Sequence, residues 1–226
     1  MVTLVVRTAA TAAIFMGLVA AAGGQTFPIQ KSGSDSRSRT FNSRVLPAAQ
    51  TLLAGKLGEG VTYTVALGER LDASRMYLRY DSSTTVRVYI LNAVTSCTNR
   101  VGVFVKKTGA SGQGSPITLF PAVSSAVMNQ PNGLARGDFV DIGQLPAGTQ
   151  LDPYFMSTCY KPPITWYSDP SRNNDNQPHV TSFLLDDRYL IVGFEDWTDY
   201  DYQDAVIVCD LGSRNALAFE KPKLAH

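Results

Sequence analysis

Residues 189–210 read YLIVGFEDWTDYDYQDAVIVCD and contain two apolar segments on either side of an acidic turn. Both segments, YLIVGF and DAVIVCD, are rich in β-branched and aromatic residues, which predicts that each is a β-strand. The turn is therefore expected at the mouth of a sheet, with both of its ends fixed. This stretch predicts a β-protein in which an acidic loop joins the two final core strands.

The sequence from Val61 onward continues the same pattern. Short segments in which apolar and polar residues alternate are separated by turn clusters such as NQPNG and LPAGTQ. The other predicted strands are VTYTVAL, RMYLRY, TTVRVYIL, VGVFVKK, DFVDIG, YFMSTC and TSFLL. Because no helices separate these segments, the pattern favours an all-β domain over residues 59–226, built as an antiparallel β-sandwich or jelly roll.

The N-terminus has the features of a secretory signal peptide. One basic residue, Arg7, precedes the apolar run TAATAAIFMGLVAAA, and small residues follow it. We expect residues 1–24 to be removed by cleavage near Ala22 to Gly24, which predicts a secreted protein, extracellular or at the cell surface. The run is shorter than the about 20 apolar residues that span a bilayer, and no second run follows, so no stable membrane anchor is expected after cleavage.

Residues 25–58 are predicted to form a polar arm followed by one short helix. Residues 25–44 are Ser-rich with scattered basic side chains, which is typical of a flexible linker. The alternative is an arm that becomes ordered when it docks on another subunit. The segment LPAAQTLLAGKL, residues 46–57, predicts the helix, since Pro47 suits a first turn and Leu52, Leu53 and Leu57 form an apolar stripe.

The net charge limits the classes of possible partner, and the number of cysteines limits the possible disulfides. The 226 residues carry a net charge of +1, which argues against a nucleic acid or an anionic membrane as partner. Three cysteines allow at most one internal disulfide in an oxidising compartment. Cys97 and Cys159 lie beside turn sequence and are the expected pair, whereas Cys209 lies within DAVIVCD and is expected in the core.

The acidic turn is the strongest candidate for a functional site. Five carboxylates lie within ten residues: Glu195, Asp196, Asp199, Asp201 and Asp204. At about 5 Å and an effective dielectric constant near 20, each like-charged pair costs roughly 3 kcal/mol. The carboxylates could extend into water, hold protons at raised pKa values, or bind a cation. Oxygen ligands without a set of thiols or histidines suit Ca²⁺, which accepts six to eight of them.

Three segments in order carry a family resemblance over residues 138–210. They are VDIGQLPAGTQL (140–151), NNDNQPHV (173–180) and GFED followed by DYDYQD. Together they resemble a bacterial β-sandwich domain family of uncharacterised function, found in secreted, adhesin-like and PEP-CTERM-anchored proteins. The resemblance implies a calcium site formed by the five carboxylates of the turn. Asp175 and Asn173 could add ligands from the neighbouring loop, or could instead form simple Asx turns.

The sequence does not indicate an enzyme. Neighbouring carboxylates in one turn are poorly placed to face each other across a glycosidic bond. His179 is accompanied by no nucleophile-elbow motif, and we expect it to bind a local carbonyl or to pack beside the acidic turn.

The sequence is compatible with three functions. The first is a calcium-binding protein for cell-surface attachment (adhesion) or the extracellular matrix. The second is a structural subunit that polymerises into an extracellular filament through its N-terminal arm. The third is a calcium-dependent carbohydrate-binding module in which Trp166, Trp197 and Tyr200 contact the sugar. The expected partners are therefore other copies of the chain, or surface glycans and proteins.

Overall fold

The fold is a β-sandwich in which a helical segment covers the outer face of one sheet. A computed structural model describes residues 25–56, 76–81, 85–107, 109–185, 188–212 and 217–219. The predicted signal peptide (1–24) and the predicted strand VTYTVAL (61–67) lie outside the described residues. The all-β prediction is confirmed, because the strands form two sheets that are antiparallel except for one short parallel pair.

The secondary structure begins with a short strand and a helical segment and continues almost entirely as strands. The helices are α1 (Ser36–Thr40), a π-helical turn (Phe41–Val45), α2 (Leu46–Lys56), α3 (Ser125–Met128) and a 3-10 helical turn (Pro170–Arg172). The strands are β1 (Gln25–Thr26), β2 (Met76–Leu78), β3 (Val86–Asn92), β4 (Asn99–Lys107), β5 (Ser115–Val123), β6 (Phe139–Gly143), β7 (Thr149–Ser157), β8 (Ile164–Tyr167), β9 (Val180–Leu185), β10 (Tyr189–Phe194), β11 (Ala205–Asp210) and β12 (Leu217–Phe219).

The two sheets have different strand orders. The first runs β1-β5-β4-β7-β2-β12, with β8 also paired to β7, and the second runs β6-β3-β11-β10-β9. β10 lies between β9 and β11 and is antiparallel to both. The two strands predicted to flank the acidic turn are therefore direct neighbours near the centre of the second sheet.

The central strands of the second sheet are buried on both faces, which explains their continuous apolar sequences. In β3, Val88 and Ile90 belong to the core that is shared by the two sheets. Tyr89 and Leu91 alternate with them and belong to a second core, which includes Phe41 from the helical segment. Successive side chains of a strand point to opposite faces, so a strand between two apolar layers needs apolar residues at every position.

The arm that composition predicts as a flexible linker is ordered and packs on its own sandwich. Asp35 caps α1 by accepting a hydrogen bond from the backbone of Ser38, and helical structure continues to Lys56. The buried side chains follow one another at intervals of four residues: Phe41, Val45, Ala49 and Leu53. This spacing aligns them on one face of the helical segment. Of the predicted stripe, Leu53 is buried, and Leu57 lies outside the described residues.

Ion pairs also fasten this segment to the sandwich. Arg37 contacts Asp210 at the end of β11 at 2.7 Å, and Asp35 contacts Arg87 of β3 at 2.8 Å. The side chains of Asp210 and Arg87 are buried, and removing one partner of such a pair leaves an uncompensated buried charge. Within the described residues, no helix has the length and apolar character needed to span a bilayer.

Candidate metal centre

The acidic turn closes the sheet between β10 and β11. Gly193 pairs with Val206, and an isolated bridge joins Phe194 to Gln203. Residues 195–204 therefore leave and re-enter the sheet at adjacent positions, so the paired strands hold both ends of the loop.

Glu195 organises the turn through its side chain. Its Oε1 accepts a hydrogen bond from the backbone N–H of Trp197 at 2.8 Å. Its Oε2 accepts from the N–H groups of Asp201 at 3.1 Å and Tyr202 at 3.4 Å. The residue is fully buried. The carboxylate of Glu195 therefore lies inside the loop and is surrounded by the chain that follows it.

Asp196 and Asp204 meet on the inner side of the turn. The N–H of Asp196 donates to Oδ2 of Asp204 at 2.5 Å. The carboxylate of Asp196 accepts hydrogen bonds from Thr95 Oγ1 at 2.5 Å and Asn99 Nδ2 at 2.6 Å. Thr95 lies in the segment between β3 and β4, and Asn99 is the first residue of β4. Sequence reasoning missed both because only the fold brings them to the turn.

The five carboxylates form two groups that share Glu195. One oxygen each from Glu195, Asp196 and Asp204 lie within 4.8 Å of one another, and the same is true of Glu195, Asp199 and Asp201. Asp199 is exposed, whereas Glu195, Asp196 and Asp201 are buried. The turn thus has an inner group of three carboxylates and an outer group that reaches solvent.

Crowding and burial shift two of these acids towards their protonated forms. Burial, and then repulsion from Asp199, raise the pKa of Glu195 to about 7. Burial, followed by repulsion from Asp196, Glu195 and Asp201, raises the pKa of Asp204 to about 9. Within the described part of the chain, no lysine, arginine or histidine forms an ion pair with the inner group. A bound cation would supply the missing positive charge.

Two tyrosines of the turn have an unfavourable backbone conformation. Tyr200 and Tyr202 both have φ of 56°, a left-handed conformation that bulky residues rarely adopt. The Tyr202 side chain is buried, and its hydroxyl donates to the carbonyl oxygen of Pro178 at 2.9 Å. This contact and the hydrogen bonds to Glu195 hold the chain in the strained geometry.

Asp175, the further ligand expected from the neighbouring loop, hydrogen-bonds a buried histidine in this structure. Its carboxylate contacts His179 Nε2 at 2.9 Å and accepts from the N–H of Gln177 at 2.9 Å. His179 Nδ1 lies 3.1 Å from the carbonyl oxygen of Glu195 and donates to it. Asp175 is not a member of either carboxylate group, and through His179 it contacts the first residue of the turn. The expectation that His179 binds a local carbonyl agrees with this contact.

The predicted sugar-contacting residues have unequal exposure. Trp166 is only 3% exposed and stacks on His179 with ring centroids 3.7 Å apart, so little of its ring is accessible in this structure. Trp197 is 55% exposed and stacks on Tyr160 at 5.6 Å. Tyr200 is partly buried. Of the three predicted residues, only Trp197 offers a large exposed aromatic surface.

The cysteines lie close to the same site. Cys97 and Cys159 form a disulfide with their Cα atoms 5.4 Å apart, and Cys209 is a buried free thiol in the core. The bridge joins the loop after β3 to the loop after β7.

Comparisons with protein-family models, curated proteins and solved structures give no match. The family resemblance in residues 138–210 and the calcium site that it implies therefore remain predictions.

Proposed function

We propose that this chain is an exported, non-enzymatic β-sandwich protein that binds calcium through its acidic turn and serves in cell-surface attachment or the extracellular matrix. The observation that carries the proposal is the inner group of Glu195, Asp196 and Asp204. Their oxygens lie within 4.8 Å of one another while the residues are at least partly buried.

The charges of the inner group favour a bound cation. Burial penalises an ionised carboxylate, and neighbouring carboxylates add repulsion. Without a cation, Glu195 and Asp204 retain protons and so avoid this unfavourable charge, as their raised pKa values indicate. A divalent cation would replace those protons and stabilise the ionised forms. Binding would thus tie together the ends of β10 and β11.

The choice of calcium follows from the donor atoms. The two carboxylate groups supply only oxygen, and Ca²⁺ accepts six to eight oxygen ligands at about 2.3–2.6 Å. Mg²⁺ needs a stricter octahedral arrangement, whereas Zn²⁺ favours nitrogen and sulfur ligands. The nearby sulfur atoms of Cys97 and Cys159 are joined to each other and do not act as thiolate ligands. Export is supported by the predicted signal peptide and agrees with the disulfide.

A calcium-dependent melting experiment tests the proposal. At free calcium of about one hundred times the dissociation constant, the unfolding free energy should rise by about 2.7 kcal/mol relative to chelator. For a domain of this size, the melting temperature should rise by about 5–10 °C. Glu195→Gln should remove most of the gain, whereas Asp81→Asn, which removes an exposed carboxylate outside the turn, should retain it. Identical melting curves with calcium and with chelator would contradict the proposal.

The carbohydrate-binding module remains a second candidate because of one observation. Exposed Trp197 follows two carboxylates of the turn and is supported from below by Tyr160, and an exposed aromatic face beside a cation suits sugars. Glycan-array binding that requires calcium and is lost in Trp197→Ala would favour this function. Equal glycan retention by both proteins would oppose it.

A further inference from the structure

We propose that the Cys97–Cys159 disulfide positions Asp196 for the metal ion, so that the calcium affinity of the acidic turn depends on the oxidation state of this bridge. This inference rests on the proposed function, since it concerns the same site. Its physical basis is a set of contacts through which both halves of the bridge reach the first residues of the turn.

The disulfide lies directly beside the inner carboxylate group. The sulfur atoms of Cys97 and Cys159 and one carboxylate oxygen of Asp196 lie within 4.8 Å of one another. Asp196 is 4% exposed. The bridge therefore forms part of the wall around this carboxylate.

The Cys97 half reaches Asp196 through hydrogen bonds. The N–H of Cys97 donates to Thr95 Oγ1 at 3.1 Å, and the Thr95 hydroxyl donates to Asp196 Oδ2 at 2.5 Å. Asn99, two residues beyond Cys97, donates to the same oxygen at 2.6 Å. Both donors bind Oδ2, so they fix the rotation of the carboxylate and hold its charge in place.

The segment around Cys159 contacts both the segment around Cys97 and Trp197, the residue after Asp196. The N–H of Thr158 donates to Asn99 Oδ1 at 3.0 Å, and the Thr158 hydroxyl donates to the carbonyl oxygen of Thr98 at 2.9 Å. Tyr160 follows Cys159 and stacks on Trp197, the neighbour of Asp196. The bridge therefore holds together two loops that contact the turn at consecutive positions.

Reduction would loosen this arrangement by a defined chemical step. A dithiol reductant gives two electrons to the S–S bond and two protons to the sulfur atoms, forming two thiols, while the reductant becomes a cyclic disulfide. The loops around Cys97 and Cys159 are then joined only by noncovalent contacts. Because a site of several ligands depends on their fixed relative positions, the loss of a fixed Asp196 should weaken calcium binding.

The experiment measures calcium affinity by calorimetric titration of the oxidised protein and of the Cys97→Ser/Cys159→Ser double variant. We expect the dissociation constant to rise about tenfold in the double variant. Thr95→Val keeps the bridge but removes one donor to Asp196, and it should raise the constant about threefold. Phe41→Ala removes a buried contact beneath the helical segment but changes no residue of the turn or of the two bridged loops. It lowers stability and should leave the constant within twofold of the wild type.

Hydrogen exchange on metal-free protein separates this inference from the proposed function. Faster exchange of the Asp196 and Trp197 amides in the double variant and in Thr95→Val, without a similar change in Phe41→Ala, would support the positioning role even if the wild-type protein bound no calcium. If wild type binds calcium and neither cysteine nor threonine variant changes its affinity or the exchange of these amides, the inference is wrong while the proposed function stands.

Discussion

The main-chain N–H of Asp196 donates a hydrogen bond of 2.5 Å to the side chain of Asp204, and this contact closes the acidic turn from within. Asp204 thus has two separable features, an acceptor oxygen that holds the backbone and a carboxylate charge that is available to a cation. An asparagine side chain keeps the acceptor and removes the charge.

Asp204→Asn should therefore abolish most calcium binding while leaving the metal-free fold intact. At pH 7 the wild-type Asp204 is already mainly protonated, because its pKa is raised to about 9. The metal-free melting temperatures of the two proteins should thus agree within about 2 °C, a shift that corresponds to less than about 1 kcal/mol. Thermal melts with chelator and with calcium measure both effects. Full calcium stabilisation of the variant would exclude Asp204 as a ligand.

Stability of the metal-free protein should decrease as pH rises from 5 to 9. Glu195 and Asp204 have folded pKa values raised to about 7 and about 9 from ordinary values of 4.5 and 3.8. The folded protein therefore binds more protons than the unfolded chain in this range, and the stability that this supplies is lost as pH passes the folded pKa values. Saturating calcium should reduce the loss, as should Asp204→Asn. Denaturant unfolding at several pH values measures this loss of unfolding free energy. If the unfolding free energy depended on pH equally with and without calcium, the expectation would be wrong.

Asp175→Asn should leave calcium affinity within twofold of the wild-type value. The carboxylate of Asp175 contacts His179 at 2.9 Å and belongs to neither carboxylate group of the turn. Its loss should instead lower stability by about 1–2 kcal/mol, because the charged partner of a buried histidine is replaced by a neutral one. Calorimetric titration and chemical denaturation measure the two quantities separately. A tenfold loss of calcium affinity would show that Asp175 is a ligand after all.

Phe41→Ala should destabilise the sandwich by about 3–5 kcal/mol, the usual cost of deleting a buried phenylalanine. Phe41 is 1% exposed and stacks on Tyr89 with ring centroids 3.6 Å apart. Arg44→Ala, at an exposed position of the same helical segment, should change stability by less than about 0.5 kcal/mol. Equal effects in denaturant unfolding would show that the segment is not docked in solution.

By the same reasoning, deletion of residues 25–44 should unfold the domain rather than leave it intact.

The central strands could be predicted from the sequence because burial on both faces requires a continuous run of apolar residues. β10 and β11 have the same limits, within one residue, as the apolar segments YLIVGF and DAVIVCD. β5 was missed because Pro116 and Pro121 interrupt its pattern. Both prolines are exposed, and β5 has only the two-residue β1 on its outer side, so few of its backbone N–H groups are needed there.

The order of the N-terminal arm and the full set of residues at the acidic turn could not be predicted from local sequence. Residues 36–40 read SRSRT, and their composition resembles a linker; Phe41 and Val45 order the segment only because the second sheet offers them an apolar face. The carboxylates of the turn could be predicted as a cluster because they are neighbours in sequence. Thr95 and Asn99 lie 101 and 97 residues away from Asp196, and only the folded chain brings them together.

A crystal structure of the protein grown with calcium, with anomalous diffraction data, tests the central claim most directly. If the inner group binds calcium, an anomalous peak should lie about 2.3–2.6 Å from carboxylate oxygens of Glu195, Asp196 and Asp204. The peak should be absent from crystals of Glu195→Gln grown under the same conditions. A well-ordered wild-type turn with water alone between these oxygens, at calcium concentrations that saturate ordinary extracellular sites, would contradict it.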